Sequence, residues 1–547
     1  MRYLDDHVIN RACRGHLAGM TNRYLLFIPV AVLGCGGAGM QPDELDELDE
    51  LESVQADTAA PVITSVMTDD GFRQIRQDGL SHLVVRGNHL DTATSVTVGA
   101  SLAEIESIAP HEVRASVFAP PGLLGHVDVT VVTAAGTATR PDALRVTPWV
   151  MSPTAVGGHG TFQSPMNLCD LEFDPAQPGD TVQLLAGVYE CSSFLDLNDG
   201  ITFEGAGRDK TLIQGSFVFL IAFGPATATT TIRDLTFLAP VLPDVLVGNL
   251  VVERVTSTIR FFIGNGGNAR FDRYAFEGPG TGVEVENASA EIANSTIRNC
   301  GGSDGIALGG TQSGAHATLD NVVIEGCDRG VFLTGPQFPF SQLIGSVTIA
   351  NSKLIDNRIG VFLSDGTATV QNTEIRDDET TPQIPETGIV TVNGDVNVVG
   401  ARISGQRFAG IAVSLSSFFD PGADLTVSGT VIDGGTVGIG FGGTDELSSL
   451  HVRSSKIRGQ TVAAVAVGGD STIDLSSADT PDDPNVFSTV SGFALSDGRT
   501  FVSPFHKYID ATGTRLNGVV FPTQLLDGPV SLAPYFRIAS SESGIRF

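Results

Sequence analysis

The chain has 547 residues, a hydrophobic content of 41% and a formal net charge of −30. This length exceeds one ordinary domain, and the acidic surface argues against nucleic acid, anionic lipid headgroups or an anionic polysaccharide as partners. Charged residues make up only 17%, Gly accounts for 64 residues and Trp for one, a composition that suits an elongated β solenoid.

The N-terminal 35 residues have the features of an export signal. Arg23 precedes an apolar run at 24–33 that is too short to span a bilayer. The sequence Val-Leu-Gly-Cys at 32–35 resembles the lipobox of bacterial lipoproteins, which implies that Cys35 is lipidated and anchors the protein to a membrane. The acidic residues before Met20 are atypical of a signal and favour Met20 as the true start. The alternative is an ordinary secretory signal with a chance Cys.

Residues 36–60 are predicted to form an acidic, disordered tether. The segment 43–52 repeats Asp-Glu-Leu three times, and like-charge blocks of this kind stay extended and solvated. Such a tether would hold the folded part away from the membrane. Residue 36 is Gly rather than Asp, and the lipoprotein resemblance therefore implies the outer membrane, on its periplasmic or its external face.

Residues 61–148 are predicted to form a small β domain. Short stretches at 83–86, 95–98 and 127–132 alternate apolar and polar residues, as half-buried strands do. The segments 84–90, 96–99 and 125–131 resemble the marks of an IPT/TIG domain, in the order that family has them. The resemblance implies an immunoglobulin-like β-sandwich that acts as a spacer or interaction module and carries no catalytic constellation.

A four-residue phrase, Gly-apolar-any-apolar, recurs through the second half of the chain. Its copies span 262 residues in ten steps from Gly282 to Gly544, about 26 residues per step, with Ala464 replacing Gly once. A second phrase, Asn-x-x-apolar, precedes several copies, for example at Asn294 and Asn321. We expect the Gly and Asn residues to form positive-φ corners between short strands. This periodicity predicts a parallel β-helix, with a β-sandwich of accidental periodicity as the alternative.

The predicted solenoid begins with its own pattern. The segments 178–189 and 200–213 resemble the first coils of right-handed β-helix proteins of the pectin-lyase-like superfamily. The predicted fold is therefore all-β: an immunoglobulin-like β-sandwich at 61–148 followed by a right-handed single-stranded parallel β-helix at 149–547. Such motifs are specific for fold and uninformative about activity.

Four cysteines are placed to form disulfides. Cys300 and Cys327 each follow the apolar residue of the second phrase by three positions in consecutive coils. Stacked strands lie ~4.8 Å apart and disulfides accept Cα separations of about 4.4–6.8 Å, so a coil-to-coil bridge is feasible. Cys169 and Cys191 flank the first coil and are placed to staple it. The alternative is a ladder of reduced cysteines.

One set of charged residues is a candidate ligand-binding strip. Asp304, Asp328, Arg329, Asp356 and Arg358 precede successive copies of the glycine phrase, and we expect them to lie at one corner of successive coils. There they form either a shallow sugar-binding strip or the solvated turn that every coil needs. No catalytic residue, metal site or cofactor is assigned, and calcium has no motif in the sequence.

The predicted function is that of an exported, lipid-anchored cell-surface protein, non-catalytic, whose β-helix presents a face that binds a glycan or another surface protein. The alternatives are a polysaccharide lyase, hydrolase or epimerase, and a purely structural component. Clustered carboxylates would favour an enzyme, whereas exposed aromatics such as Phe332 and Phe362 would favour sugar binding. We expect a monomer, with residues 521–536 covering the last coil.

Overall fold

The structure is a computed structural model. It describes residues 59–77, 79–119, 123–170, 178–191, 195–197, 200–215, 218–221, 228–238, 242–245, 248–264, 266–310, 314–335, 345–378, 386–414, 422–442, 448–468, 471–477, 482–490, 493–497, 509–511, 513–516, 519–520 and 536–538. The predicted signal peptide, Cys35, the tether up to residue 58 and the predicted capping segment 521–535 lie outside the described residues.

The first part of the described chain is a β domain with its own buried core. The strand Ser101–Ala109 joins the two halves of this domain's sheet, because it pairs with Ala93–Val98 at one end and with Glu112–Phe118 at the other. The immunoglobulin-like assignment stays a prediction. In hydrogen-bonded order, the eight strands are Val62–Thr68, Leu80–Asn88, Glu112–Phe118, Ser101–Ala109, Ala93–Val98, Gly125–Thr133, Gly136–Thr147 and Gln74–Arg76.

The rest is a right-handed parallel β-helix with three strands per coil and three sheets. In chain order, the first sheet contains Trp149–Met151, Thr181–Leu184, Thr202–Glu204, Thr229–Arg233, Asn249–Glu253, Asn268–Asp272, Ser289–Ala293, His316–Asp320, Ser346–Ala350, Gly366–Gln371, Gly394–Val399, Asp424–Ser428, Ser449–Arg453, Thr472–Asp474 and Ile509–Asp510. The second sheet contains Gly187–Glu190, Thr211–Gln214, Thr236–Phe237, Thr256–Ser257, Ala275–Glu277, Thr296–Arg298, Val323–Glu325, Lys353–Ile355, Glu374–Arg376, Arg402–Ser404, Val431–Asp433, Lys456–Gln460, Val486–Thr489, Arg515–Leu516 and Val519–Val520. The third sheet contains Leu195–Leu197, Val218–Ile221, Leu242–Val245, Phe261–Gly264, Val283–Glu286, Asp304–Gly309, Arg329–Leu333, Ile359–Leu363, Thr387–Val392, Ala409–Ser414, Val437–Gly442, Ala463–Val467, Phe493–Asp497 and Phe536–Ile538.

Inward side chains stack into one continuous apolar core along the β-helix. Ile324 lies opposite Ile297 on the second sheet, and Val331 lies opposite Ile306 on the third. All four are fully buried, as the alternation of apolar residues predicts. Each coil buries its apolar side chains against the coils before and after it, so the coils stabilise one another.

The repeated glycines form a column along the β-helix, and the positive φ predicted for them is wrong. These glycines do not have positive φ; instead, their α-carbons pack against the next coil. A Cβ added at Gly360 would lie 2.5 Å from the carbonyl oxygen of Gly388, and one at Gly388 would lie 2.5 Å from that of Gly410. Glycine recurs here because any side chain would collide with the backbone of the next coil.

The asparagines do form the predicted corners. Asn294, Asn321 and Asn351 have φ of 50°, 55° and 51°, the left-handed region that Asn tolerates better than most residues. Their side-chain amides also bridge coils, because Asn321 Nδ2 donates to Asn294 Oδ1 at 2.9 Å and Asn351 Nδ2 donates to Asp320 Oδ1 at 2.8 Å. The same residues therefore turn the chain and tie neighbouring coils together.

Two disulfides are present in the described residues. Cys169 and Cys191 have Cα atoms 4.8 Å apart and join the 3-10 helix Leu168–Asp170 to the end of the first strand of the second sheet. Cys300 and Cys327 have Cα atoms 4.7 Å apart and bridge consecutive coils. Both bridges therefore fasten the N-terminal half of the β-helix.

Candidate functional site

The residues of the predicted strip form two ion pairs where third-sheet strands begin. Arg329 Nε and Nη2 lie 2.5 and 2.9 Å from the two carboxylate oxygens of Asp304 on the preceding coil. One coil further, Arg358 donates in the same two-point manner to Asp328, with Nη2 at 2.8 Å from Oδ2. Each carboxylate is therefore satisfied by an arginine of the next coil, and the two pairs link three coils.

The charge state of Asp328 suits this structural pairing. The hydrogen bond from the Arg358 guanidinium holds the pKa of Asp328 below its ordinary value, although partial burial opposes the shift. An acid catalyst in glycoside hydrolysis needs the opposite, a carboxyl group whose pKa is raised. Asp328 therefore remains ionised and engaged with Arg358.

Asp356 lies apart from the two pairs. It occupies a corner with φ of 51°, directly after the strand Lys353–Ile355. Its Oδ1 accepts a hydrogen bond of 2.6 Å from the backbone N–H of Asp378. The five strip residues therefore do not form one column, and the structure brings together only Asp304 with Arg329 and Asp328 with Arg358.

Two phenylalanines lie on the outer face of the third sheet beside the strip. The ring centroids of Phe332 and Phe362 are 5.6 Å apart, and both side chains are half-buried. The Arg329 guanidinium lies 3.5 Å from the Phe332 centroid and 5.7 Å from that of Phe362. Part of the aromatic surface is therefore already covered by a cation of the protein itself.

An open groove of about 450 Å³ lies on the outer face of the first sheet, across six consecutive strands from Thr229–Arg233 to Ser346–Ala350. None of the strip residues lines it. Two columns of outward side chains line this groove. The polar members are Thr229, Asn249, Asn268, Ser289, His316 and Ser346 in one column and Arg270, Glu291, Thr318 and Thr348 in the other.

Two pairs of neighbours within the first column are joined by hydrogen bonds. Asn268 Nδ2 donates to Asn249 Oδ1 at 3.3 Å, and His316 Nδ1 lies 2.8 Å from Ser346 Oγ. Asn268 and His316 remain exposed. An amide or imidazole that makes one bond along the column keeps further donor or acceptor groups directed at the groove.

The second column carries both signs of charge. Arg270 and Glu291 occupy directly opposed positions on neighbouring strands, and both are exposed. Within the described part of the chain, neither forms an ion pair of the kind that engages Asp304 and Asp328. Their hydrogen-bonding groups therefore remain available to a ligand.

The sequence shows the polar strands that form this groove but does not show which of them lie side by side. The segments 268–272, 289–292 and 316–320 each alternate outward polar with inward apolar residues. Successive members of the first column, from Asn249 to Ser346, are 19, 21, 27 and 30 residues apart, as their register shows. Because the coil lengths differ, spacing alone does not reveal that these side chains are neighbours.

The described residues contain no cluster of three or more His, Cys, Asp or Glu that is suited to hold a metal ion. They also contain no helix long and apolar enough to cross a membrane.

Comparison with known proteins agrees with the fold. Residues 252–381 match the family model described as the right-handed β-helix region. No curated protein matches the sequence.

Similar solved structures include two enzymes and a phage protein. The catalytic unit of an α-1,3-glucanase of family GH87 from Streptomyces thermodiastaticus has 10% identity and a TM-score of 0.40, over 78% of this chain and 88% of its own. The A-module of the mannuronan C-5 epimerase AlgE4 from Azotobacter vinelandii has 18% identity and a TM-score of 0.37, over 57% and 91%. Tailspike protein 3 of bacteriophage CBA120 has 11% identity and a TM-score of 0.35, over 79% and 71%. None of these likenesses assigns an activity to this chain.

Proposed function

We propose that this chain is an exported, lipid-anchored surface protein whose β-helix binds a glycan in the first-sheet groove without cleaving it. The observation that carries the proposal is the pair of columns of outward polar side chains, exposed or half-buried, of which the first crosses six strands and the second four. Strands in a sheet lie ~4.8 Å apart, so the groove is roughly 24 Å long and suits several sugar units of a linear chain.

The chemistry of the groove fits sugar hydroxyl groups, which both donate and accept hydrogen bonds. Asn268 offers a donor and an acceptor, Arg270 offers donors and Glu291 offers acceptors. These side chains stand on a rigid stacked sheet, which limits the entropy that binding would cost. A recognition surface of this kind needs no movement of the protein.

The presence of a single carboxylate supports binding rather than hydrolysis. Glu291 is the one acidic residue among the described side chains that line the groove. Most glycoside hydrolases use two carboxyl groups on either side of the bond that they cleave. The alternative of a polysaccharide lyase, hydrolase or epimerase would need Glu291 and His316 to act together, and it is tested below.

Export and anchoring rest on other features. The two disulfides, Cys169–Cys191 and Cys300–Cys327, suit an oxidising compartment outside the cytosol. Lipidation of Cys35 would anchor the protein to a membrane through the acidic tether. Replacing Cys35 by Ala should move the protein from the membrane to the soluble fraction. If the variant protein still sediments with membranes in high salt, the anchor is of another kind.

A glycan array probed with the purified full chain tests the binding proposal. For the glycan retained best, Asn268→Ala should raise the Kd about fivefold, since one lost hydrogen bond costs roughly 1 kcal/mol. Asn397→Ala is the matched control, because Asn397 is an exposed asparagine on the same sheet outside the groove. An equal loss of affinity in both variants, or retention of no glycan, would contradict the proposal.

A further inference from the structure

The strongly acidic chain carries a face with excess positive charge. It lies on the outside of the second sheet, from the strand Lys353–Ile355 to the strand Arg515–Leu516. On these strands the outward carboxylates are Glu374 and Asp433. The outward basic residues are Lys353, Arg376, Arg402, Lys456, Arg458 and Arg515.

Four of these cations lie in one column. In register, the column runs Lys353, Glu374, Arg402, Val431, Lys456, Val486 and Arg515. A cation therefore occupies every second coil, and strands lie ~4.8 Å apart, so neighbouring cations recur at about 10 Å. We call Lys353, Arg402, Lys456 and Arg515 the cation line.

The two carboxylates orient their basic neighbours without covering them. Asp433 lies 3.6 Å from Arg402 Nη2 and 2.6 Å from Arg458 Nε, yet these arginine side chains stay 61% and 55% exposed. Glu374 lies 3.6 Å from Lys353 Nζ, and that side chain is 56% exposed. Within the described part of the chain, Lys456 and Arg515 have no carboxylate partner and are exposed. Arg376 Nη1 lies 3.0 Å from Asp378, a third carboxylate directly after its strand. Three carboxylates against six basic side chains still leave the face with a net positive charge.

Because salt screens distant charges, the local charge determines which ligands this face attracts. The Debye length is about 8 Å at physiological ionic strength, so acidic residues on the other faces of the β-helix contribute little at the cation line. The bulk charge of −30, which argues against anionic partners, therefore does not describe this surface. A hollow of about 480 Å³ beside the line is bounded by Arg376 and Arg402 and also by Glu374 and Asp378, so it adds no net charge to the face.

We propose that the cation line binds a linear acidic polysaccharide whose sulfate or carboxylate groups recur along the chain. Charge complementarity and the regular single-file spacing carry this inference, because an extended polyanion can contact all four cations at once while it runs parallel to the β-helix axis. This site lies on a different sheet from the groove, and its ligand class differs from the uncharged hydroxyl-rich surface that the groove suits.

Dextran sulfate and unsubstituted dextran are the probes, because they share a backbone and differ in charge. The full chain at physiological salt should bind dextran sulfate and not dextran. The double variant Lys456→Gln/Arg515→Gln should raise the Kd at least tenfold and flatten the dependence of log K on log salt by roughly 0.7 per removed contact, since fewer counterions are released. Lys210→Gln, at another exposed lysine at the opposite end of the β-helix, should leave both quantities unchanged.

Folding and rival ligands are checked in the same series. Lys456→Arg/Arg515→Lys should restore binding, which separates loss of charge from loss of structure. Unchanged affinity in the double Gln variant overturns the proposal. The vesicle arm uses the Cys35→Ala protein, which lacks the proposed lipid anchor. Tighter binding of this protein to phosphatidylglycerol vesicles than to dextran sulfate, or tighter binding to DNA, also overturns the proposal, in favour of a membrane or a nucleic acid partner.

Discussion

The strip on the third sheet and the groove on the first sheet contain similar charged side chains, but these side chains have different roles. In the strip, Arg329 and Arg358 each engage a carboxylate of the preceding coil through two nitrogens. In the groove, Arg270 and Glu291 face each other on neighbouring strands, exposed and unpaired within the described residues. Charges that satisfy each other between coils stabilise the solenoid, whereas polar groups left exposed on a rigid face are suited to a ligand.

Both regions depend on the same stacked core, and a substitution that disrupts this core has the largest expected effect on the free energy of unfolding. Ile324→Asp would bury an unpaired charge between coils and should lower the free energy of unfolding by about 4 kcal/mol or more. Thr318→Asn, on the exposed face of the same coil, should change it by less than about 0.5 kcal/mol. Thermal unfolding measures both. Equal unfolding midpoints for the two variants would mean that the assigned strand phase is wrong.

A substitution in the glycine column should cause the next largest loss of stability. A Cβ at Gly388 would lie 2.5 Å from the Gly410 carbonyl oxygen and 2.7 Å from Ile403 Cγ2, so Gly388→Ala must push neighbouring coils apart. We expect a loss of roughly 1–3 kcal/mol, as for other overpacked sites. Gly468→Ala is the control, because its Cβ would meet only ordinary contacts at 3.9 Å or more. Chemical denaturation that finds the same loss in both would contradict close coil packing as the reason for glycine.

The strip should contribute modest, pH-dependent stability. Asp328→Asn breaks a partly exposed ion pair and should cost about 1 kcal/mol at neutral pH. The folded-state pKa of Asp328 lies below its unfolded value, so this contribution is complete above about pH 4 and is lost as the pH falls through the folded pKa. The unfolding curves of wild type and variant should therefore converge in acid. Asp91→Asn, an exposed site in the N-terminal domain, should show no such convergence.

The smallest expected effect is that on catalysis. We expect no depolymerisation of pectin, alginate or related uronans, with or without Ca²⁺, because the groove presents one carboxylate among its described lining residues. The absorbance of unsaturated uronides measures this directly. Its appearance in the wild type and its loss in Glu291→Gln would turn the groove into an active site.

The sequence predicted the parts of the molecule that repeat and missed the parts that do not. Ile297 and Ile324 each follow the asparagine of the second phrase by three residues, so the strand phase and the core could be predicted. The role of Gly360 was not, since contact with the carbonyl of Gly388 exists only between coils. The groove escaped prediction because the coils differ in length, so the spacing does not reveal that Asn268 and His316 lie in one column on either side of Ser289.

A crossed comparison of Asn268→Ala and Asp328→Asn tests the central claim most directly. For each variant, the Kd for the glycan selected on the array and the midpoint of thermal unfolding would be measured together. The account predicts weakened binding with unchanged unfolding for Asn268→Ala, and unchanged binding with a lowered midpoint for Asp328→Asn. Loss of binding in Asp328→Asn with full affinity in Asn268→Ala would move the binding face from the groove to the strip and contradict the account.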